Sequence, residues 1–211
     1  MKYFSESDIQ ELEHIYKINL INSCSGYKSA NLIGSISKNG VENVAVFSSV
    51  THIGSSPAIL GFFLRPTTVI RNTYENLKAT GYYTINHIHE AIKEDAHHTS
   101  AKYDSNISEF EVTHLEAEYK TGFNAPFVKG APIQLAMEYL EEYPIKANDT
   151  ILVIGKIIGL YVDNELIEED GFINLSKAKV AAINGLDGYA VPECKTRYGY
   201  QRPKNLVTET S

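Results

Sequence analysis

The chain reads as many short β-rich runs interrupted by a few segments with helical spacing. Near its start, Ile9, Leu12 and Ile15/Tyr16 fall on one stripe. Ser7 with Gln10 three residues on has the form of a capping box, so a short amphipathic helix is expected over Ser7–Tyr16. The texture then changes. Residues 31–37, 42–50 and 57–63 are β-rich and are separated by Lys38-Asn39-Gly40 and Gly54-Ser55-Ser56. Asn-Gly between two such runs marks a hairpin, because both residues tolerate positive φ. Over 67–80 the period lengthens: Val69, Tyr74 and Leu77 have helical spacing, Thr73 offers an N-cap within the segment, and Gly81 supplies the stop. A strand over 82–86, a helix from about Glu90 to His98 and a polar loop over 99–109 follow. Residues 133–145 and 150–162 are two long strands joined by Lys146–Asp149, which points to an antiparallel pair. The tail after Gly171 is mixed, with Tyr189, Tyr198 and Tyr200 among Gly, Pro and basic residues.

Strands do not alternate regularly with long helices, which disfavours a doubly wound parallel sheet. The expectation is a mainly β protein, a closed or partly closed barrel with two or three short helices inserted. No repeat or linker divides it, so residues 1–211 are expected to form one domain, with an N-terminal helix at about 7–17 and a C-terminal tail at about 185–211.

Composition narrows the function classes. The 19 Lys+Arg against 26 Asp+Glu leave a net charge of −7, which argues against broad binding to nucleic acid or to an anionic membrane. The longest apolar runs, on either side of Lys156, are too short to span a bilayer. The opening MKYFSESDIQELE is polar and acidic where a secretion signal is apolar, so a cytoplasmic protein is expected. Cys24 and Cys194 are then most simply free thiols.

The usual nucleotide and hydrolase fingerprints are missing: there is no GxGxxG, no GxxxxGK[ST] and no GxSxG. Two polar stretches stand out. Ser48–Ser56 leaves a strand into a Gly/Ser turn where N–H groups and hydroxyls can face a ligand, and His97–Lys102 joins the hydroxyls of Thr99 and Ser100 to the charge of Lys102. Such donors backed by a cation suit a phosphate monoester, although solvated turns have the same composition. Arg65 and Arg71 flank the start of the second helix, where an anion is also at home, or stand as ordinary surface charges. His87, His89, His97 and His98 do not make a metal set, since neighbouring helical histidines diverge and no carboxylate trio joins them. His98 is better suited to orient a ligand. The carboxylates Glu138, Glu141 and Glu142, and Glu165 to Asp170, read as solvated charged faces.

The order of these signals resembles the flavin reductase-like, FMN-binding split-barrel family. The matching stretches are NVAVFSSVT (Asn43–Thr51), SPAILGFF (Ser56–Phe63), NTYENLKATGYYTIN (Asn72–Asn86) and AHHTSAK (Ala96–Lys102). Glu109–Glu111, Pro126–Val128, Ile154–Gly155 and the Gly185–Tyr189 region with Tyr198 continue the pattern. The chain departs from it at Ala58, Asn72 and Gly130, where Pro, Asp and Glu are common. The resemblance implies an antiparallel, Greek-key-like split β-barrel, a homodimer with FMN near the subunit interface, and hydride transfer from NADH or NADPH to the flavin. It implies that Ser48, Ser49, Val50 and Thr51 meet the ring edge and ribityl chain, and that Thr73 and Asn76 border the same pocket. Thr99, Ser100 and Lys102 then lie near the phosphate, with Arg71 and His98 adding to the cofactor site. No side chain is implied as a catalytic group and no metal is implied, because the flavin carries the chemistry. An electron carrier or flavin store reduced by a partner protein is the alternative, and a heme- or pyridoxal-related use of the same barrel a more distant one.

Overall fold

The computed structural model describes residues 1–203; the end of the expected C-terminal tail, 204–211, lies outside the described residues. Two helices come first. α1 (Glu6–Glu11) starts at Ser5, whose hydroxyl accepts from the Asp8 N–H while the Asp8 carboxylate accepts from the Ser5 N–H. α2 (His14–Cys24) starts at Glu13, whose carboxylate accepts from the N–H groups of Ile15 and Tyr16. The single helix expected at 7–17 is therefore two, because Leu12 turns extended and Glu13 caps a new helix instead of prolonging the first.

β1 (Lys28–Ser29), β2 (Asn31–Ile36) and β3 (Glu42–Phe47) follow, with the β2–β3 hairpin turning at Gly40, φ 83°. Then come β4 (Thr51–Ser55), β5 (Ala58–Leu64), α3 (Asn72–Thr80) and β6 (Tyr82–His87). A 3-10 turn at Glu90–Ile92 leads into α4 (Lys93–His98), and α5 (Glu109–Val112), β7 (Ala117–Glu118) and β8 (Phe127–Val128) complete the middle of the chain. The long pair β9 (Ile133–Ile145) and β10 (Thr150–Val162) has the predicted limits. A 3-10 turn at Asn164–Leu166, β11 (Ala182–Asn184) and β12 (Gly188–Ala190) end the regular structure. Two expectations are corrected. The β-rich run expected over 42–50 ends at Phe47, and the stretch expected to lead into the Gly/Ser turn contains a strand, β4, whose residues are mostly exposed. Arg71, and not Thr73, is the N-cap of α3; Thr73 is its second residue.

Seven strands form one antiparallel sheet in the order β3-β2-β6-β9-β10-β5-β4. Its two edges, β3 and β4, are consecutive in the chain, so the three residues joining them draw the edges together. The result is a split barrel. Alternation along β2 divides the apolar residues between two cores. Ile33 faces inward with Phe62, Leu64, Tyr83, Ile85, Met137 and Val153. Leu32 faces outward, into a second cluster with Val44, Ile88, Ala96, Leu115, Val128 and Ile183. α3 contributes Leu77 to the inner core near the Ser35 end of β2. Leu166, Ile173 and Val180, from the segment after β10, pack into the same core, and Val180 bridges to His89 beyond the other end.

Candidate functional site

The junction between β3 and β4 is built around Ser49. Its hydroxyl accepts from the N–H of Phe63 and donates to the carbonyl of the same residue, both at 3.1 Å. Ser29 donates to the carbonyl of Val50 at 2.8 Å. Among the described residues, none accepts from the main-chain N–H of Ser48, Ser49 or Val50. The junction therefore offers three neighbouring unspent donors. Thr51, the fourth predicted residue here, is the first residue of β4 and pairs with Gly61.

Other predicted residues gather at the opposite end of β3. Thr73 and Asn76 are 5% and 7% exposed, and their side chains are used inside the protein. Asn43 donates to Thr73 Oγ1 at 3.0 Å and Asn76 donates to Ser35 Oγ at 3.1 Å, which fastens α3 to the β2–β3 hairpin. Asn43 lies four strand residues from Phe47, about 13 Å at the usual rise. Thr73 and Asn76 are thus separated from Ser48–Thr51 by most of the length of β3. The start of α3 has no side-chain cap. Beside it, Arg71 Nε is buried without a partner. A hollow of about 330 Å³ adjoins this helix start, lined in part by Glu42, Asn72, Glu75, Ser105 and Asn106.

The third predicted group lies at the end of α4. The Thr99 hydroxyl donates to the Ala96 carbonyl at 2.7 Å and is buried, so it serves its own helix end. His98 Nε2 is 2.6 Å from the Tyr103 hydroxyl. Ser100 and Lys102 are exposed. Lys102 lies in the loop that, three residues later, supplies Ser105 and Asn106 to the hollow beside α3.

Several polar residues have structural roles that the sequence reading did not assign them. Asn31 and His87 are direct cross-strand partners on β2 and β6. Both amide atoms of Asn31 and the Nδ1 of His87 are buried without a partner. Burial holds the His87 pKa down at about 4. The Tyr83 hydroxyl is also buried and unpaired, and burial raises its pKa. Glu109 is buried; its carboxylate accepts from the Val44 N–H at 3.1 Å and so occupies the open edge of β3. Burial raises its pKa. Glu142 departs from the expected solvated face: it accepts from the hydroxyls of Tyr74 and Tyr139 at 2.9 and 3.0 Å and pairs with Lys78 at 3.2 Å, pinning α3 to β9. Cys24 and Cys194 are exposed free thiols. Among the described residues no helix is long and apolar enough to cross a membrane, and no three metal-ligating side chains cluster.

Comparison with known proteins agrees with this architecture. The model of the family described as "Flavin reductase like domain" matches residues 27–180. A candidate flavin reductase with a split barrel domain from Shewanella frigidimarina NCIMB 400 is 42% identical and superposes with a TM-score of 0.92, over 95% of this chain and 100% of that one. Nitrilotriacetate monooxygenase component B from Bacillus cereus shares the fold at 20% identity and a TM-score of 0.81, over 94% and 98% of the two chains. An FMN-binding protein from Thermus thermophilus shares it at 16% identity and a TM-score of 0.70, over 84% and 93%.

Proposed function

This chain belongs to the flavin reductase like domain family, and from that premise we propose that it is an FMN-binding oxidoreductase, an NAD(P)H-dependent flavin reductase acting as a homodimer. The observation that carries the reading is the pair of unspent donor sets at the two ends of β3. One is the Ser48–Val50 run of free N–H groups. The other is the uncapped start of α3 with the unpartnered Nε of Arg71. Between them lies β3 from Asn43 to Phe47, about 13 Å of strand, a span that suits a tricyclic ring carrying a five-carbon chain and a phosphate. The residues present therefore fit FMN.

When bound, FMN supplies the redox chemistry, accepting hydride from NADH or NADPH. The protein's part is to bind and to place charge. The free N–H groups of Ser48, Ser49 and Val50 would hold the edge of the ring, where they would stabilise the negative charge of the reduced flavin. Donors fixed in advance stabilise such charge without reorganising. At the other end Arg71 Nε and the first N–H groups of α3 would hold the phosphate, a charge-assisted arrangement at a helix start. Thr73 and Asn76 act one step back, fixing α3 against β2 and β3. Lys102 and Ser100 stand in the adjoining loop, where the ammonium adds to the local positive field. Thr51 follows the Ser48–Val50 run directly, His98 pairs with Tyr103, and Thr99 keeps the end of α4 in shape. Leu140, Tyr143, Ile158 and Leu160 on the long hairpin are 45%, 52%, 46% and 51% exposed, which supports pairing with a second copy.

The test is anaerobic mixing of FMN-loaded protein with NADH or NADPH. Loss of the oxidised flavin absorbance is expected with at least one donor. Tight FMN binding with no reduction by either would replace the reductase with an electron carrier served by a partner protein. No FMN binding at all would remove both readings.

A further inference from the structure

We propose that the hollow beside α3 takes the adenosine end of the reductant and selects NADH over NADPH. The inference deepens the reductase reading and rests on it for the identity of the ligand. The hollow has a volume of about 330 Å³, at the lower end of the roughly 300–1,000 Å³ of small-molecule sites. That is room for one nucleoside and not for a whole dinucleotide. The β2–β3 turn supplies Asn39, Val41 and Glu42, and the start of α3 supplies Ile70, Asn72 and Glu75. No Lys, Arg or His is among the described residues that line it. The hollow is therefore not itself an anion site, and a phosphate on Arg71 would lie beside it.

Its charge comes from two carboxylates, Glu42 and Glu75, neither of which has an ion-pair partner among the described residues. The Tyr119 hydroxyl donates to Glu42 Oε1 at 2.7 Å, which fixes that carboxylate and leaves its second oxygen to accept. Two such groups suit the neighbouring 2′ and 3′ hydroxyls of a ribose, the task a carboxylate performs in dinucleotide sites generally. A phosphate on the 2′ oxygen would remove one donor and bring about 1.5 to 2 negative charges to the place where both carboxylates stand. Selection then works by repulsion as well as attraction. The remaining lining fits the base. Ile70 is 78% exposed, and with Val41 it offers apolar surface to a flat ring, while the amides of Asn39 and Asn72 carry donors and acceptors for its nitrogens. Glu42 opens β3 and Phe47 closes it just before the Ser48–Val50 junction. An extended dinucleotide with its adenosine in the hollow would thus bring its nicotinamide along the strand to the end where the flavin ring would lie.

The adenosine half is tested without redox chemistry. AMP and adenosine 2′,5′-bisphosphate are titrated into isotope-labelled protein while the side-chain amide resonances of Asn39 and Asn72 are followed. AMP is expected to shift both and to bind at least about tenfold more tightly than the bisphosphate, or about 1.4 kcal/mol. A double variant, Glu42→Gln with Glu75→Gln, keeps the shape and an oxygen for Tyr119 but loses both charges, so the ratio should fall to within about threefold. FMN-loaded protein should show the same preference between NADH and NADPH in its apparent dissociation constants for reduction, and the double variant should lose it. Equal binding of the two nucleotides, shifts confined to other residues, or a double variant with the parent's ratio would each overturn the proposal. FMN reduced as readily by NADPH as by NADH would overturn the selection and leave the reductase standing. AMP bound in the hollow of a protein that neither donor reduces would overturn the reductase and, with it, the assignment of the hollow to a reductant.

Discussion

Ser49 stands opposite Phe63 and does with its side chain what a strand does with its backbone. Thr51 opposes Gly61 in the β4–β5 ladder, so the same register carried two residues back places 49 against 63. There the hydroxyl of Ser49 takes over both main-chain groups of Phe63. The chain is thereby fastened to β5 while its own N–H groups stay free. A residue chosen for ligand contact is in fact the closing stitch of the barrel, and it leaves the neighbouring donors available because it does not spend the backbone.

Ser49→Ala is therefore expected to lose about 0.5–1.5 kcal/mol of stability, since it removes two hydrogen bonds to an exposed Phe63 whose main-chain groups can turn to water. Ser49→Thr, which keeps the hydroxyl, should stay close to the parent protein. Urea unfolding of the three proteins measures both. Equal stability of the alanine variant would show that the seam is held by other contacts.

Gly34 tests the packing of the sheet against the segment that covers it. A Cβ there would run into the carbonyl of Pro126 and the Thr84 hydroxyl, which donates to that same carbonyl at 2.6 Å. Backbone cannot swing aside as a flexible side chain can. Gly34→Ala should cost at least the upper part of the roughly 1–3 kcal/mol typical of overpacking, read as a lower melting temperature in calorimetry.

The long hairpin was legible because two β-rich runs flank a short polar turn, and Asp149 accepts the positive φ that turn needs. The end of α3 was legible for a similar reason, with Gly81 left-handed at φ 80°. β4 was not. Its sequence, Thr-His-Ile-Gly-Ser, is polar because an exposed edge strand has little to bury, and edge strands lack the apolar alternation that betrays central ones. The site was legible in its parts but not in its arrangement. Ser48–Thr51 and Arg71 were recognisable as donors, yet the burial of Thr73 and Asn76 depends on which residues of β2 and β3 lie beneath α3. The unpartnered state of Asn31 and His87 was hidden for the same reason: a polar atom becomes a buried orphan only once strand register sets its direction.

Arg71 and Lys102 separate two accounts of phosphate binding. A buried guanidinium donor to a charged phosphate is worth about 1.5–3 kcal/mol, so Arg71→Ala should weaken FMN about 10- to 100-fold and leave riboflavin, which lacks the phosphate, within a few-fold. Lys102 is exposed, and exposed charges contribute only about 0–1 kcal/mol. Lys102→Ala should thus weaken FMN by no more than about fivefold. Fluorescence titration with both ligands measures this. Equal losses of FMN and riboflavin in Arg71→Ala would move the phosphate away from α3.

His87 makes stability depend on pH in a definite direction. In the folded protein burial holds its pKa at about 4, against 6.5 for the free side chain. Between those values the unfolded chain binds a proton that the folded barrel refuses, so protonation favours unfolding. The contribution of neutral His87 is complete above pH 6.5 and is lost as pH falls towards 4. Between pH 7 and pH 5 this amounts to about 2 kcal/mol. Urea unfolding at the two pH values should show that difference in the parent protein, and a smaller one by about that amount in His87→Gln, which cannot take up the proton. The position of Asn31 opposite His87 sharpens the comparison, because Asn31→Leu removes unpaired amide atoms without touching the titrating group. Its pH dependence should therefore match the parent's even if its overall stability does not. A His87→Gln variant with the parent's full pH dependence would place the titrating group elsewhere in the protein.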